Sequence, residues 1–319
     1  MQTRIILAKL HRFVARTLSI SGLFAVALIV TLAGCGSRGD EGAGGRRIVV
    51  ATTTQVGDLA REVGGPRVDV RQILQPNSDP HDYEPRPSDA RDAEQASVVL
   101  RSGGEVDDWL SGLLDAGGSN AEAVDLSGSV RAQGDDPHWW QDPRNARRAA
   151  AAIRDALVEA DPGGRRAYEK RAASYLRRLE KLDRSVASCI ARIPPDQRKL
   201  VTSHDALGYY TSRYGLELVG AVIPSQSSQA QPSSKDIRSL VDQIRTQKVR
   251  AIFPESSLNP KLERAVSRES GAAVGGALWA DTLGPRGSSG ATYIESIQSN
   301  TRAIAAGVTA GRVRCRPVS

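Results

Sequence analysis

The chain has few of the residues that most often build compact metal and redox sites. Its 319 residues include 4 histidines and 3 cysteines, and aromatic residues make up only 4%. The cysteines show no CxxC or Cys/His spacing, which excludes a structural zinc finger. No HExxH motif occurs, so the metal site of the proteases that carry this helical motif is excluded as well.

Basic residues are numerous, but they do not form a nucleic-acid footprint. The formal net charge is +7 and the sequence pI is about 9.5. The many arginines of residues 143–192 are spread among acidic residues along predicted helices, which favours a solvated surface. There is no patch in which aromatic and basic side chains alternate, and we therefore expect no nucleic acid as a partner.

An uncharged apolar run, Leu18–Leu32, follows a basic segment at the start of the chain. It is too short and too one-sidedly flanked for a spanning helix and is typical of a secretory signal. Removing residues 1–34 removes four basic residues and no acidic ones, which lowers the net charge from +7 to +3.

The apolar run ends in Leu-Ala-Gly-Cys35, which resembles the bacterial lipobox, where the cysteine is diacylated and becomes the new N-terminus. The alternative is an uncleaved signal anchor with an incidental cysteine; the order of basic segment, apolar run and small residues favours the lipobox. We therefore predict a signal peptide over residues 1–34 and a Gly-rich flexible tether over 35–47. The protein would then be lipid-anchored at Cys35 on the extracytoplasmic face of the cell membrane. Export would also permit a disulfide between Cys189 and Cys315.

After the tether, short β-rich runs alternate with helical segments, a pattern that predicts an α/β fold with mainly parallel sheets. Strands are expected at residues 47–53, 68–74, 97–101, 121–126, 199–202, 216–223, 249–253 and 272–278. The longest periodic stretch, 165–193, has apolar residues at spacings of three and four, and as a helix it would be about 40 Å long. Such a helix could belong to a coiled coil or bundle, but its position between two βα regions favours a spine joining two lobes. The predicted parts are an N-terminal lobe (48–163), a linking helix (164–193) and a C-terminal lobe (194–319).

Histidine placement is the most informative feature of the mature chain. Only His81, His138 and His204 remain after the signal, and each lies beside an aspartate at a predicted loop or strand end. A histidine in such a place is more often a surface or hydrogen-bonded residue than a ligand. The separations of 57 and 66 residues form no local metal motif. However, ligands of open α/β sheets bind beyond the carboxyl ends of the strands, where these histidines are expected.

Four segments resemble, in order along the chain, the metal-ligand segments of the TroA-like zinc- and manganese-binding lipoproteins of ABC importers. They are Asp79-Pro-His-Asp-Tyr-Glu-Pro, Asp136-Pro-His-Trp-Trp-Gln-Asp-Pro, Thr202-Ser-His-Asp-Ala-Leu-Gly and Leu278-Trp-Ala-Asp-Thr-Leu-Gly. The resemblance extends from about Ile48 to the last helix. It implies two α/β lobes joined by one long helix, with a metal ion in the cleft between them.

The resemblance implies that His81, His138, His204 and Asp281 are the metal ligands, two from each lobe. It implies Zn²⁺ as the cargo, with Mn²⁺ as the alternative, and an ABC permease with its ATPase as partners of a monomeric protein. Manganese-handling members often carry a carboxylate where this chain has His204. Four protein ligands leave no obvious position for a reactive water, which favours capture over catalysis. The His-rich loop of many zinc-specific members is absent, since residues 82–137 contain no histidine.

Glu255 ends a predicted strand facing the same cleft. We interpret it as orienting a ligand histidine, with a direct ligand role as the alternative. A zinc hydrolase with three histidine ligands and Glu255 as the catalytic base is a competing hypothesis, and an adhesin is another. Asp82, Glu84, Asp136 and Asp205 are partners of the ligands or surface charges.

Overall fold

The computed structural model describes residues 45–117 and 123–316. The predicted signal peptide, Cys35 and most of the tether lie outside the described residues. Among the helices of the described ranges, none is long and apolar enough to cross a membrane.

The N-terminal lobe is built around a parallel sheet in the order β2-β1-β3-β4. Its strands are β1 (Arg47–Ala51), β2 (Val68–Gln72), β3 (Val98–Arg101) and β4 (Ala123–Asp125), and its helices are α1 (Thr54–Gly64), α2 (Pro87–Glu94), α3 (Trp109–Gly117) and α4 (Pro143–Ala160). Successive residues of β1 point to opposite faces: Val49 packs with α1 and α4, and Val50 packs with α2 and α3. Both faces are therefore covered, as parallel sheets require.

The C-terminal lobe repeats the topology in a second parallel sheet of order β6-β5-β7-β8. Its strands are β5 (Lys199–Thr202), β6 (Glu217–Ala221), β7 (Ala251–Phe253) and β8 (Ala273–Val274), and its helices are α6 (Gly208–Tyr214), α7 (Ser234–Gln247), α8 (Lys261–Ser270) and α9 (Tyr293–Val308). Val201 and Ile252 face α7 and α8, whereas Leu200 and Phe253 face the core that the two lobes share.

Helix α5 (Arg165–Ile190) links the lobes as the periodicity predicts. Its 26 residues bury a continuous stripe that includes Tyr168, Tyr175, Leu182 and Val186. This stripe shares one core with α1 and α4 of the first lobe and α9 of the second. The long helix is therefore a spine packed against both lobes, which confirms the two-lobe α/β prediction.

The structure differs from the sequence prediction mainly in the short elements. The strand expected at 272–278 is limited to Ala273–Val274, and the following Gly275 packs against Phe253, where a Cβ would come within 2.6 Å of the ring. The sequence pattern does not predict helices α3 and α6, because nine and seven residues are too few to show a clear period.

A disulfide joins Cys189, near the end of α5, to Cys315 in the C-terminal segment, with a Cα–Cα distance of 5.6 Å. The two residues are separated by 126 positions, so the bridge connects the end of the spine helix to the segment that follows α9.

Candidate metal centre

The two sheets direct the carboxyl ends of their strands toward one site. In both sheets the strand order reverses at the first strand, β1 or β5, which is where open α/β sheets bind ligands. His204 lies two residues after the end of β5, and His81 and His138 lie on the segments after β2 and β4. Asp281 lies three residues beyond Leu278, which forms an isolated parallel bridge with Glu255.

The four predicted ligands converge. One potential ligand atom from each of His81, His138, His204 and Asp281 lies within 4.8 Å of the others. The Nε2 atoms of His204 and His81 are 3.1 and 3.3 Å from Asp281 Oδ2, and His138 Nε2 is 3.5 Å from Oδ1. The Nε2 atoms of His138 and His204 are 3.4 Å apart. All four side chains are almost fully buried, and that of His81 is the most exposed at 4%.

The polar atoms facing the centre are not satisfied by hydrogen bonds. Nε2 of His81 and both carboxylate oxygens of Asp281 are buried without a hydrogen-bond partner among the described residues, because the short approaches of the ligands lack hydrogen-bond geometry. Buried polar atoms nearly always have partners. Three imidazole nitrogens and one carboxylate aimed at a common point are instead the donor set of a divalent transition metal.

Carboxylates behind the rings orient two of the histidines. Nδ1 of His138 is 2.7 Å from Asp136 Oδ1, which also accepts the His138 backbone N–H. Nδ1 of His204 is 2.5 Å from Glu255 Oε1, which accepts the His204 N–H at 3.2 Å. When Nδ1 donates to a carboxylate, Nε2 keeps its lone pair for a metal ion.

The His81 loop is held through its backbone. Asp79 accepts the backbone N–H of His81 at 3.0 Å and caps the short 3₁₀ turn Pro80–Asp82. The other oxygen of Asp79 accepts a hydrogen bond from Ser228 of the C-terminal lobe. Asp82 and Glu84 are exposed and lie on the surface.

Burial and the charges of neighbouring groups together set the pKa values of the ionisable side chains in the site. Burial lowers the pKa of His204, but the carboxylates of Asp281 and Glu255 outweigh it and hold this pKa well above its usual range. Burial raises the pKa of Asp281, whereas the nearby His204 and His138 oppose it more strongly and hold this pKa well below its usual range. Burial raises the pKa of Glu255 against the opposing effect of His204. Burial also raises the pKa of Asp205, and the charge of Asp136 adds to the effect. Asp281 is therefore the anionic member of the four converging residues.

Sequence reasoning did not predict the hydrogen bonds that hold the Asp281 segment from the opposite lobe. Trp140 and Gln141 both donate hydrogen bonds to the carbonyl oxygen of Ala280, and Thr54 accepts one from Leu283. The signal in the sequence was that Trp140 and Gln141 belong to the segment that carries His138.

Comparison with known proteins agrees with this site. Residues 49–307 match the model of a family described as zinc-uptake complex component A, periplasmic. The manganese-binding lipoprotein MntA of Halalkalibacterium halodurans is 31% identical over 297 residues, which cover 90% of this chain and 97% of that protein. The metal ABC transporter substrate-binding lipoprotein FimA of Streptococcus parasanguinis is 28% identical over 308 residues, covering 91% and 98%.

A solved structure shares the fold. The periplasmic zinc binding protein TroA from Treponema pallidum superposes with a TM-score of 0.78 at 26% identity, covering 83% of this chain and 99% of that one. The chain therefore belongs to the family of periplasmic zinc-uptake components, which are metal-binding substrate-binding proteins of ABC transporters and not enzymes.

Proposed function

We propose that this chain captures zinc outside the cytoplasmic membrane and delivers it to the permease of an ABC importer, with His81, His138, His204 and Asp281 as the ligands. The observation that carries the proposal is the buried convergence of three imidazoles and one carboxylate within 4.8 Å. The carboxylates that hold two of the rings with Nε2 inward support it further, because such partners are typical of metal-binding histidines.

The donor set favours zinc over manganese. Neutral imidazole suits zinc, whereas carboxylate and water suit manganese. In addition, the Irving–Williams order gives zinc a higher affinity than manganese at a given site. His204 supplies a nitrogen at a position where a carboxylate would favour the harder ion. Manganese remains the second candidate because the relative MntA is named as a manganese-binding lipoprotein.

Competition titration of metal-free protein with zinc and manganese tests the choice of metal. We expect wild type to prefer zinc and His204→Glu to shift the preference toward manganese. His204→Gln is the matched control: it removes the imidazole without adding charge, and it should weaken zinc binding without giving manganese a new anionic ligand. A wild-type preference for manganese, or an unmoved preference in His204→Glu, would refute the ligand argument.

The position of Glu255 supports an orienting role over that of a catalytic base. Its Oε1 is engaged by both the ring and the backbone N–H of His204, so the carboxylate lies behind the ligand ring. It is 4% exposed and is not among the four converging residues. A hydrolase would need this carboxylate to face a metal-bound water.

We further propose that the mature protein is a monomer held at the outer face of the cell membrane by a lipid at Cys35. The lipobox order in the sequence supports the anchor, as do relatives named as lipoproteins of metal transporters. Stable anchoring requires more than one acyl chain, which diacylation of Cys35 would provide.

A further inference from the structure

The loop that carries Asp281 belongs to the C-terminal lobe by sequence, but residues of the N-terminal lobe hold it by hydrogen bonds. The carbonyl oxygen of Ala280, the residue before Asp281, accepts hydrogen bonds from Trp140 Nε1 at 2.8 Å and Gln141 Nε2 at 2.7 Å. Both donors are almost fully buried. They lie two and three residues after His138, and the segments that carry His138 and Asp281 are therefore joined directly to each other across the cleft.

A second attachment lies on the other side of Asp281. Thr54 Oγ1, at the start of α1, accepts the backbone N–H of Leu283 at 2.8 Å. The backbone N–H of Asn77 lies 3.0 Å from Thr282 Oγ1 and 3.2 Å from the Leu283 carbonyl oxygen. Asp281 thus sits between two points at which the N-terminal lobe holds its backbone.

Among the described residues, the hydrogen bonds from the C-terminal lobe to the backbone of this loop lie outside these points. Asn300 on α9 accepts from the backbone N–H of Trp279 and donates to its carbonyl, both at 2.8 Å. Gly284 donates its N–H to the Gly290 carbonyl at 2.8 Å. Residues 280–283 connect Trp279 to Gly284, and their contacts with the N-terminal lobe restrict where the Asp281 carboxylate can lie.

Gln141 is the most informative of the N-terminal-lobe residues that form hydrogen bonds with the Asp281 loop. Its side-chain Nε2 donates to Ala280, while its Oε1 is buried without a hydrogen-bond partner among the described residues. Burying an amide that is only half satisfied is costly, and an apolar side chain of the same length would pack there at less cost. Among the described residues, the contact with Ala280 is the one polar interaction of the Gln141 side chain, and it offsets part of the cost of burying the amide.

We propose that Gln141 and Trp140 are positioning residues for metal capture, which hold Asp281 against the three imidazoles by fixing the backbone beside it. This inference rests on the proposed role of Asp281 as a ligand. Metal–oxygen bonds tolerate deviations of only about 0.2 Å, so a loop free to shift would present its carboxylate less often in the bonding position. Weakening the grip should mainly speed metal dissociation.

A double-mutant cycle tests the inference, using zinc affinity and dissociation rate measured on the purified mature chain. Gln141→Met keeps the length of the side chain and removes the donor. We expect it to raise the zinc dissociation constant about tenfold, the lower end of what partners of metal ligands contribute. In an Asp281→Ala background the same substitution should have no further effect, because its action passes through Asp281.

Adjacent tryptophans provide a matched control. Trp139 and Trp140 are both buried and both donate an indole N–H to a backbone carbonyl, but Trp139 donates to Ser102 of its own lobe at 3.0 Å. Trp140→Phe should therefore weaken zinc binding more than Trp139→Phe does. Gln141→Met remains the primary variant, because the Trp140 ring also packs against His138 with centroids 5.4 Å apart. Thermal melting of each metal-free variant checks that it folds. If Gln141→Met does not fold, the comparison of Trp140→Phe with Trp139→Phe tests the positioning role instead.

The outcomes separate this inference from the function on which it rests. If Asp281→Ala leaves zinc affinity unchanged, the proposed ligand set fails and this inference fails with it. If Asp281→Ala weakens binding but Gln141→Met does not, only the positioning role is refuted. An effect of Gln141→Met that persists in the Asp281→Ala background would also overturn the inference, because it would show a general structural role.

Discussion

Asp58→Asn should stabilise the protein at neutral pH, although it removes a charge from a contact between the lobes. Asp58 lies on α1 and accepts the backbone N–H of Tyr293, the first residue of α9, at 2.9 Å. Its exposed fraction is 8%, and burial raises its pKa from the usual 3.8 to about 6, against the lowering effect of the hydrogen bond from Tyr293. The carboxylate is therefore held in an environment that favours its neutral form.

The magnitude and the pH window follow from this pKa. An acid whose pKa is higher in the folded state binds its proton more tightly when folded, so its contribution to stability is greatest below pH 3.8 and is lost as the pH rises through about 6. The shift corresponds to about 3 kcal/mol of folding free energy lost by neutral pH. Asparagine is neutral and can still accept the hydrogen bond from Tyr293. The pKa of about 6 already includes the attraction between the carboxylate and the backbone N–H of Tyr293, so the expected net gain is about 3 kcal/mol.

Urea denaturation of metal-free, disulfide-intact protein at pH 7.5 and pH 5 measures the effect, because bound metal would add its own stabilisation. Asp183→Asn is the matched control. Asp183 has the same exposed fraction of 8%, but it accepts two hydrogen bonds from Arg213, at 2.9 and 2.7 Å, and one from the Tyr214 hydroxyl. Its substitution should lower the free energy of unfolding by about 2 kcal/mol, since Arg213 loses its charged partner. A destabilised Asp58→Asn, or a gain that does not shrink at pH 5, would refute the reasoning.

Three further predictions concern the anchor, the disulfide and the spine. Cys35→Ala should leave unprocessed precursor or protein released from the membrane, and unchanged membrane fractionation and N-terminal processing would contradict the lipobox. Intact mass measured without reductant should show no free thiol at Cys189 or Cys315. Replacing both by serine should lower the free energy of unfolding by about 4–5 kcal/mol in the chain-entropy model, and two free thiols in the wild type would contradict the pairing. X-ray scattering profiles of metal-free and zinc-loaded protein should nearly overlay, because bending α5 would break its i→i−4 hydrogen bonds; a large change in radius of gyration would argue against a rigid spine.

Much of the fold was predictable because its signals are local. The spacing of apolar residues in α5 predicts a helix from Arg165, and the structure ends it at Ile190, three residues before the predicted end. The strand at Lys199–Thr202 agrees in both bounds. The strand expected at 272–278 is longer than β8 (Ala273–Val274), because the end of a strand depends on its pairing with a neighbouring strand, here β7, which a local pattern does not encode.

The candidate site likewise combines residues that the sequence predicts with contacts that depend on the tertiary structure. The sequence by itself determined the four residues proposed as ligands, since each lies in a short segment whose residue types can be compared directly with the motifs of the family. Only the tertiary structure shows that the Glu255 carboxylate lies 2.5 Å from His204 Nδ1, a placement that favours the orienting role proposed for it over a direct ligand role. For Gln141 the sequence offered only its place in the His138 segment, because its partner Ala280 is 139 positions away and is reached only when the lobes pack together. Helical periodicity and strand alternation are encoded within a few neighbouring residues, whereas a hydrogen bond across the cleft depends on how two separately formed lobes dock.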